Sequence, residues 1–181
     1  AVPIERALHP LGQMLTLVPS EDTLANVALG LLSDVVKGRS ALRRALRQVD
    51  NWYGLVVIDC PPEAGILLAN ALIASDGVIL PAEPEPPAIA GIRAVADMVA
   101  MLRDELERDT PTILGTIATR IDQRTTRHAD GLEIMRSLPA PLWGEIPERN
   151  GQLRDQELRL AYEGVTDRIA EWLGVQNAGS A

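Results

Sequence analysis

The chain has 181 residues, enough for one domain with a single core, and its 46% hydrophobic content is that of a globular protein. Aromatic residues make up 3% and phenylalanine is absent, so any core is built from Leu, Ile, Val and Ala. A formal net charge of −8 argues against a generally basic nucleic-acid binder, no apolar run approaches the ~18 residues of a membrane span, and one cysteine excludes an internal disulfide framework.

Residues 1–12 mix Pro, Glu, Arg and apolar residues and begin without a cap or a strand. Met14 to Val18 reads as a short strand closed by Pro19. Ser20-Glu21-Asp22-Thr23 then reads as a helix start, with Ser20 as N-cap and acids in the first turn. That helix, Glu21 to about Val36, is expected to bury Leu24, Val27, Ala28, Leu31 and Leu32, with Gly38 ending it. A second helix from Arg39 to Gln48 carries Arg39, Arg43, Arg44 and Arg47 opposite Leu42 and Leu46. Five basic residues and no acid lie between Lys37 and Val49. Such a face either binds an anion or a partner, or is the solvated side of an amphipathic helix.

The stretch Tyr53-Gly54-Leu55-Val56-Val57-Ile58-Asp59-Cys60-Pro61-Pro62 follows. A continuous apolar run bounded by turn signals predicts a strand buried on both faces. Pro61 cannot extend a ladder and keeps Cys60 out of the helical region, so the strand must stop there. Asp59 is thereby expected at the carboxyl end of a central parallel strand, where open α/β sheets bind ligands.

Ala64 to Ala74 predicts a helix of small and apolar residues, and Gly77 to Pro81 the next buried strand. Ala82-Glu83-Pro84-Glu85-Pro86-Pro87 is a proline-stiffened loop leading into a long helix from Ala88 to about Arg108. Thr112 to Thr119 is a third β-branched run, Arg120 to Arg127 a polar loop, and a short helix reaches Leu138. Leu142 to Ile146 is a further strand stopped by Pro147. A helix around Tyr162 to Leu173 and a Gly/Ser/Ala tail close the chain. Strands alternating with helices, with no Asn-Gly hairpin signal, imply right-handed crossovers. The fold class is α/β, a mainly parallel sheet flanked by helices on both faces, in one domain spanning residues 1–181.

An apolar strand ending in Asp is the Walker B pattern, although Asp also simply suits the turn after a strand. His9 and His128 have no His or Cys neighbour at ligand spacing, so histidine metal binding is not expected. Cys60 is expected to be a buried, inert thiol. Trp52, Trp143 and Trp172 are too scattered to form a stacking platform for bases.

The block Tyr53 to Gly91 resembles the ParA family of plasmid and chromosome partition ATPases, relatives of MinD. The residues that carry the likeness are Asp59-Cys60-Pro61-Pro62, Asn70-Ala71-Leu72, Ala74-Ser75-Asp76, Leu80-Pro81, Glu85 and Ala90-Gly91. Leu17 to Ser20 with Asp22 and Leu24-Ala25, Thr119 to Asp122 with Arg124-Thr125, and Ile146-Pro147 with Arg149 extend it along the chain. The resemblance implies a P-loop NTPase-like fold that binds ATP with Mg²⁺, forms a homodimer and binds DNA non-specifically. It also implies hydrolysis of ATP when a ParB-like activator engages, and residence in the cytoplasm, on the nucleoid when complete, with no membrane partner. Asp59 would be the Mg²⁺-associated catalytic carboxylate, and Asp122, Pro147 and Arg149 would lie at the nucleotide. Arg120, Arg124 and Arg127 would face the nucleotide edge or DNA, since the planar guanidinium fork suits phosphate.

The sequence departs from that family at one decisive point. A phosphate loop needs glycines whose N–H groups cradle phosphate, a lysine for the β/γ oxygens and a Ser or Thr for Mg²⁺. The only lysine, Lys37, follows a helix with no glycine loop before it. The first strand and phosphate loop of the family pattern are therefore lacking, and tight nucleotide binding by this chain is not expected. Either the chain is a fragment of a longer ATPase, the reading favoured here, or it is a short form that keeps the fold as a non-catalytic interaction domain, using the helix Arg39 to Arg47. A third reading is an unrelated doubly wound protein with Asp59 as phosphoacceptor or general acid/base. The fragment reading leaves strand edges without partners, so residues 54–59 and 112–119 are expected to be poorly protected in a monomer.

Overall fold

The computed structural model describes residues 3–21, 23–33, 38–61, 63, 65–109, 111–122, 124–148 and 155–174. Packing divides the chain into two compact units, Ala1–Asp76 with Met98–Pro111 and Gly77–Asp97 with Thr112–Ala181.

The first unit opens with a 3-10 turn, Ile4–Ala7, and a two-residue antiparallel pair, β1 (His9–Pro10) with β2 (Thr16–Leu17). β2 falls within the strand expected from Met14 to Val18, whereas its partner β1 lies in the stretch read as having no strand, and no Asn-Gly turn signals their pairing. Three helices follow: α1 (Leu24–Leu32), α2 (Ala41–Leu46) and α3 (Ile66–Ala74). Leu68 to Ile73 of α3 are all buried, as befits a helix that is apolar on every side except at Asn70. α1 and α2 both pack on it, and Val49, Val99 and Leu102 are buried in the same unit.

Two sequence expectations need correction in this unit. The first helix starts at Leu24 with Thr23 at its cap position and no side-chain capping bond, rather than at Ser20. Of its expected buried stripe, Leu24, Val27 and Leu32 are exposed. Helical periodicity defines a stripe but not what covers it. The second correction is larger. Residues 53–60 form no strand, and Val57 is 81% exposed. A β-branched run has the propensity to be a strand, yet a strand exists only through a neighbour's backbone groups, and among the described residues none pairs with this run.

The second unit holds a three-stranded parallel sheet in the order β3-β4-β5, formed by β3 (Gly77–Ala82), β4 (Thr112–Ile121) and β5 (Leu142–Pro147). These strands lie within two residues of their expected ends, because short apolar runs between polar turns leave little freedom. The sheet carries helices α4 (Pro86–Leu106), whose first part belongs to this unit, α5 (Thr126–Arg136) and α6 (Asp155–Trp172). Pro86 and Pro87 occupy the first turn of α4, where no intrahelical donor is needed. The core is Leu80 and Ala82 of β3, Ile89 and Ile92 of α4, Ala118 and Ile121 of β4, and Leu132 and Met135 of α5. α5 packs on β4 and α6 on β5.

β4 is paired on both sides, against the expectation that residues 112–119 would lack a partner. Hydrogen exchange should therefore split the two runs named together above. Amides of residues 113–118 are expected to be strongly protected, and those of 54–59 to exchange at close to the unprotected rate. Protection of 54–59 equal to that of β4 in a monomer would overturn the description of the first unit.

Candidate functional site

Because β3, β4 and β5 run parallel, the loops leaving their carboxyl ends meet at one end of the second unit. The first is the Pro/Glu loop. Its Glu85 N–H donates to the Glu83 carbonyl at 2.7 Å, and the Glu85 carbonyl accepts from Ile89 N–H at 3.0 Å, joining the turn to α4. Pro84 is fully buried, and its carbonyl rests on Gly131 of α5, where a Cβ would overlap it.

The second loop begins inside β4. The β4–β5 register shifts between Ala118 and Ile121, and Arg120 there has φ +53°. A left-handed conformation costs a non-glycine residue roughly 1–2 kcal/mol. The irregularity turns the Arg120 guanidinium towards both neighbouring loops. Its Nη1 lies 2.8 Å from Glu83 Oε1 and its Nη2 3.8 Å from Glu148 Oε1.

Asp122 shapes the turn that follows. Its carboxylate accepts from Arg124 N–H at 2.9 Å and its carbonyl accepts from the Thr125 hydroxyl at 3.1 Å. Its own N–H donates to His128 Nδ1 at 2.9 Å. Since Nδ1 accepts, the neutral imidazole carries its proton on Nε2, which lies 3.5 Å from Glu85 Oε1. Arg127 Nη1 is 3.6 Å from the same oxygen. The third loop is tied in through Pro147, paired with Ile121, and through Glu148 N–H, which donates to the Ile121 carbonyl at 3.0 Å. Beside the Pro/Glu loop, Ala82, Glu85 and Thr119 border a recess of about 370 Å³.

Of the residues proposed from the sequence, Arg120 lies near the end of β4, Asp122 and Arg124 on the turn after it, Arg127 in the first turn of α5 and Pro147 at the end of β5. Arg149 lies outside the described residues, as do Lys37 and Pro62. Asp59 sits in the first unit, exposed, on the irregular segment rather than at a strand's end. Cys60, expected to be buried, is exposed. Partial desolvation, and then the charge of Asp59, push its thiol pKa up from 9.0, so it is protonated at neutral pH and a poor nucleophile, as expected on other grounds.

Three residues that matter here have roles the sequence does not signal. Nothing in the spacing of His128 shows that it anchors the Asp122 turn. The carboxylates of Glu83 and Glu85 were read as part of a stiff loop, with no sign that arginines about 40 positions later would meet them.

Among the described residues no three His, Cys, Asp or Glu side chains gather closely enough to hold a metal ion. The sequence has no lysine-bearing glycine loop. These residues by themselves do not fit a magnesium nucleotide.

A family model described as an AAA domain matches residues 3–111. Sporulation initiation inhibitor protein Soj of Bacillus subtilis is 34% identical over 111 residues, which is 61% of this chain and 43% of Soj. Chromosome partitioning protein ParA of Myxococcus xanthus is 32% identical over 123 residues, 67% of this chain and 43% of that protein. Among solved structures, cobyrinic acid a,c-diamide synthase from Mycobacterium smegmatis, with bound ADP and magnesium, superposes with a TM-score of 0.81 at 27% identity. That match covers 99% of this chain and 72% of the synthase chain. The chain spans between 36% and 56% of the length of the curated relatives it matches.

Proposed function

Because this chain belongs to the ParA/MinD-type family of AAA-domain P-loop NTPases, we propose that it is part of a partition ATPase. In the whole protein ATP and Mg²⁺ bind, two copies associate, DNA is held without sequence preference, and a ParB-type partner stimulates hydrolysis. Residues 1–181 act there as a single α/β domain. The chain's own contribution is the set of loops at the carboxyl edge of its sheet. The observation that most supports this is the parallel register of β3, β4 and β5, which delivers Glu83, Arg120 and Glu148 to one end, with Arg120 2.8 Å from Glu83 and 3.8 Å from Glu148.

In this reading, and as the family resemblance implies, Asp59 would act on a magnesium-associated water, and Pro147 with Arg149 would border the base. The turn held by Asp122 fixes where Arg124 and Arg127 can reach phosphate. The phosphate cradle is supplied by residues other than these, so nucleotide binding by this chain alone is weak.

The test is ATP turnover by the whole gene product that contains this chain, measured with duplex DNA and its ParB-type partner. Asp59→Asn is expected to lower turnover on the order of 10²-fold while leaving the fold intact. Wild-type turnover in that variant would remove Asp59 from the chemistry. No turnover in the wild type under any of these conditions would remove the ATPase reading itself.

A further inference from the structure

Two of the three arginines expected to reach DNA, Arg120 and Arg127, are engaged by carboxylates of their own chain. Arg120 is held by Glu83 and Glu148, and Arg127 by Glu85. Three carboxylates therefore face two guanidinium groups, leaving this cluster net negative and repellent to phosphate. The Glu side chains are not incidental neighbours. Pro84, Pro86 and Pro87 stiffen the loop that carries them, and the buried Pro84 carbonyl is seated on Gly131. On the other side, His128 fixes the Asp122 turn through Nδ1 and lies against Glu85 through Nε2, adding no charge while neutral.

The Arg120 pair with Glu83 is made from a left-handed backbone position at a register shift, an arrangement that the strand alone does not require. The side chains remain largely in solvent, Arg120 at 67% and Arg127 at 72% exposure. Ion pairs this exposed contribute little to stability and are screened by salt, so a polyanion can exchange into them.

We propose that the Pro/Glu loop is an intramolecular competitor for DNA, its Glu83 and Glu85 occupying Arg120 and Arg127 until the loop is displaced. This rests on the proposed function, with DNA rather than the nucleotide edge taken as what Arg120 and Arg127 face, and adds how that contact is regulated. The loop's carboxylates stand in for backbone phosphates. A duplex must displace them, which weakens its binding and makes it contingent on whatever moves the loop.

The test is duplex DNA binding by fluorescence anisotropy over a salt series. Glu83→Gln with Glu85→Gln is expected to bind about tenfold tighter at low salt. Its plot of log K against log salt is expected to steepen by about 2, one for each arginine released to phosphate. Adding Arg120→Ala and Arg127→Ala should abolish the gain. The matched control is Glu163→Gln with Glu171→Gln, which removes two carboxylates paired to Arg159 and Arg168 on α6. It carries the same change of net charge and is expected to shift affinity less than about twofold, because no phosphate-facing arginine is released.

Equal gain in the control, no gain in the loop variant, or a gain that survives loss of both arginines would each overturn the proposal. If the wild type binds DNA and the loop variant binds no tighter, only the masking falls. If neither binds at any salt concentration, the DNA reading falls and the masking with it.

Discussion

Gly131→Ala is expected to destabilise the protein by about 2–3 kcal/mol, whereas Gly164→Ala is expected to stabilise it by up to about 1 kcal/mol. Both glycines lie inside helices, α5 and α6, and in each helix alanine is intrinsically the better residue. Their surroundings decide the sign. A Cβ at position 164 meets nothing within 4 Å. At position 131 it would overlap the carbonyl group of Pro84, a backbone group that cannot swing aside as a side chain would. Either α5 or the Pro/Glu loop must move, and Pro84 is fully buried, so the overlap cost exceeds the gain in helix propensity. Thermal melts should separate the two variants by roughly 10 °C, at the 2–4 °C per kcal/mol usual for a chain of this size. Movement of the loop would also pull Glu83 and Glu85 away from Arg120 and Arg127. A Gly131→Ala protein that melts at or above the wild type would mean that α5 and the Pro/Glu loop are not in close contact.

The second large effect is expected at Asn70, in the middle of α3 and 4% exposed. Its Oδ1 accepts from Leu42 N–H, in the first turn of α2, at 3.1 Å. Its Nδ2 donates to the Gly38 carbonyl at 2.8 Å and to the Ile66 carbonyl at 2.9 Å. One amide thus satisfies a donor at the start of α2 and an acceptor just before it, and ties both to α3. Asn70→Ala leaves these groups covered and unpaired, and each such group costs about 1–3 kcal/mol, so a loss of roughly 2–4 kcal/mol is expected in urea unfolding. Asn70→Asp keeps the acceptor for Leu42 but turns a carboxylate towards two carbonyl oxygens, and it should be destabilised as well. Faster exchange of the Leu42 amide in the alanine variant would locate the damage at α2. Unchanged stability in Asn70→Ala would show that water satisfies these groups and that the amide is not what ties α2 to α3.

Asn70 and Asp59 illustrate what could be read in advance. Both were picked out as residues of a recurring pattern, and the family that the pattern suggests is the family to which the chain belongs. What Asn70 does in the fold was invisible, because its partners at Gly38 and Leu42 lie 32 and 28 positions away. The strand expected to end at Asp59 rests on Gly54 to Ile58, a run whose composition is right for a buried strand. Composition speaks only of propensity, and the structure leaves that run exposed. The arginine loop lies between the two cases. Its position after β4 was legible, and its Asp-x-Arg-Thr turn is one that a sequence can signal, since an Asp side chain bonds the backbone two residues on.

From the sequence alone came the parallel α/β class, the segments that become β3, β4, β5, α3, α4 and α5, and the family. Each of these rests on local hydrophobic period, turn residues or motif, and those act over a few positions of chain. Only the tertiary structure decided that the apolar run before Cys60 is not a strand, that Gly131 seats the Pro84 carbonyl, and that Arg120 and Arg127 are met by their own chain's carboxylates. Strand pairing, close backbone approach and ion pairing each need a second segment at a set distance, and nothing in a linear pattern states which segment that will be.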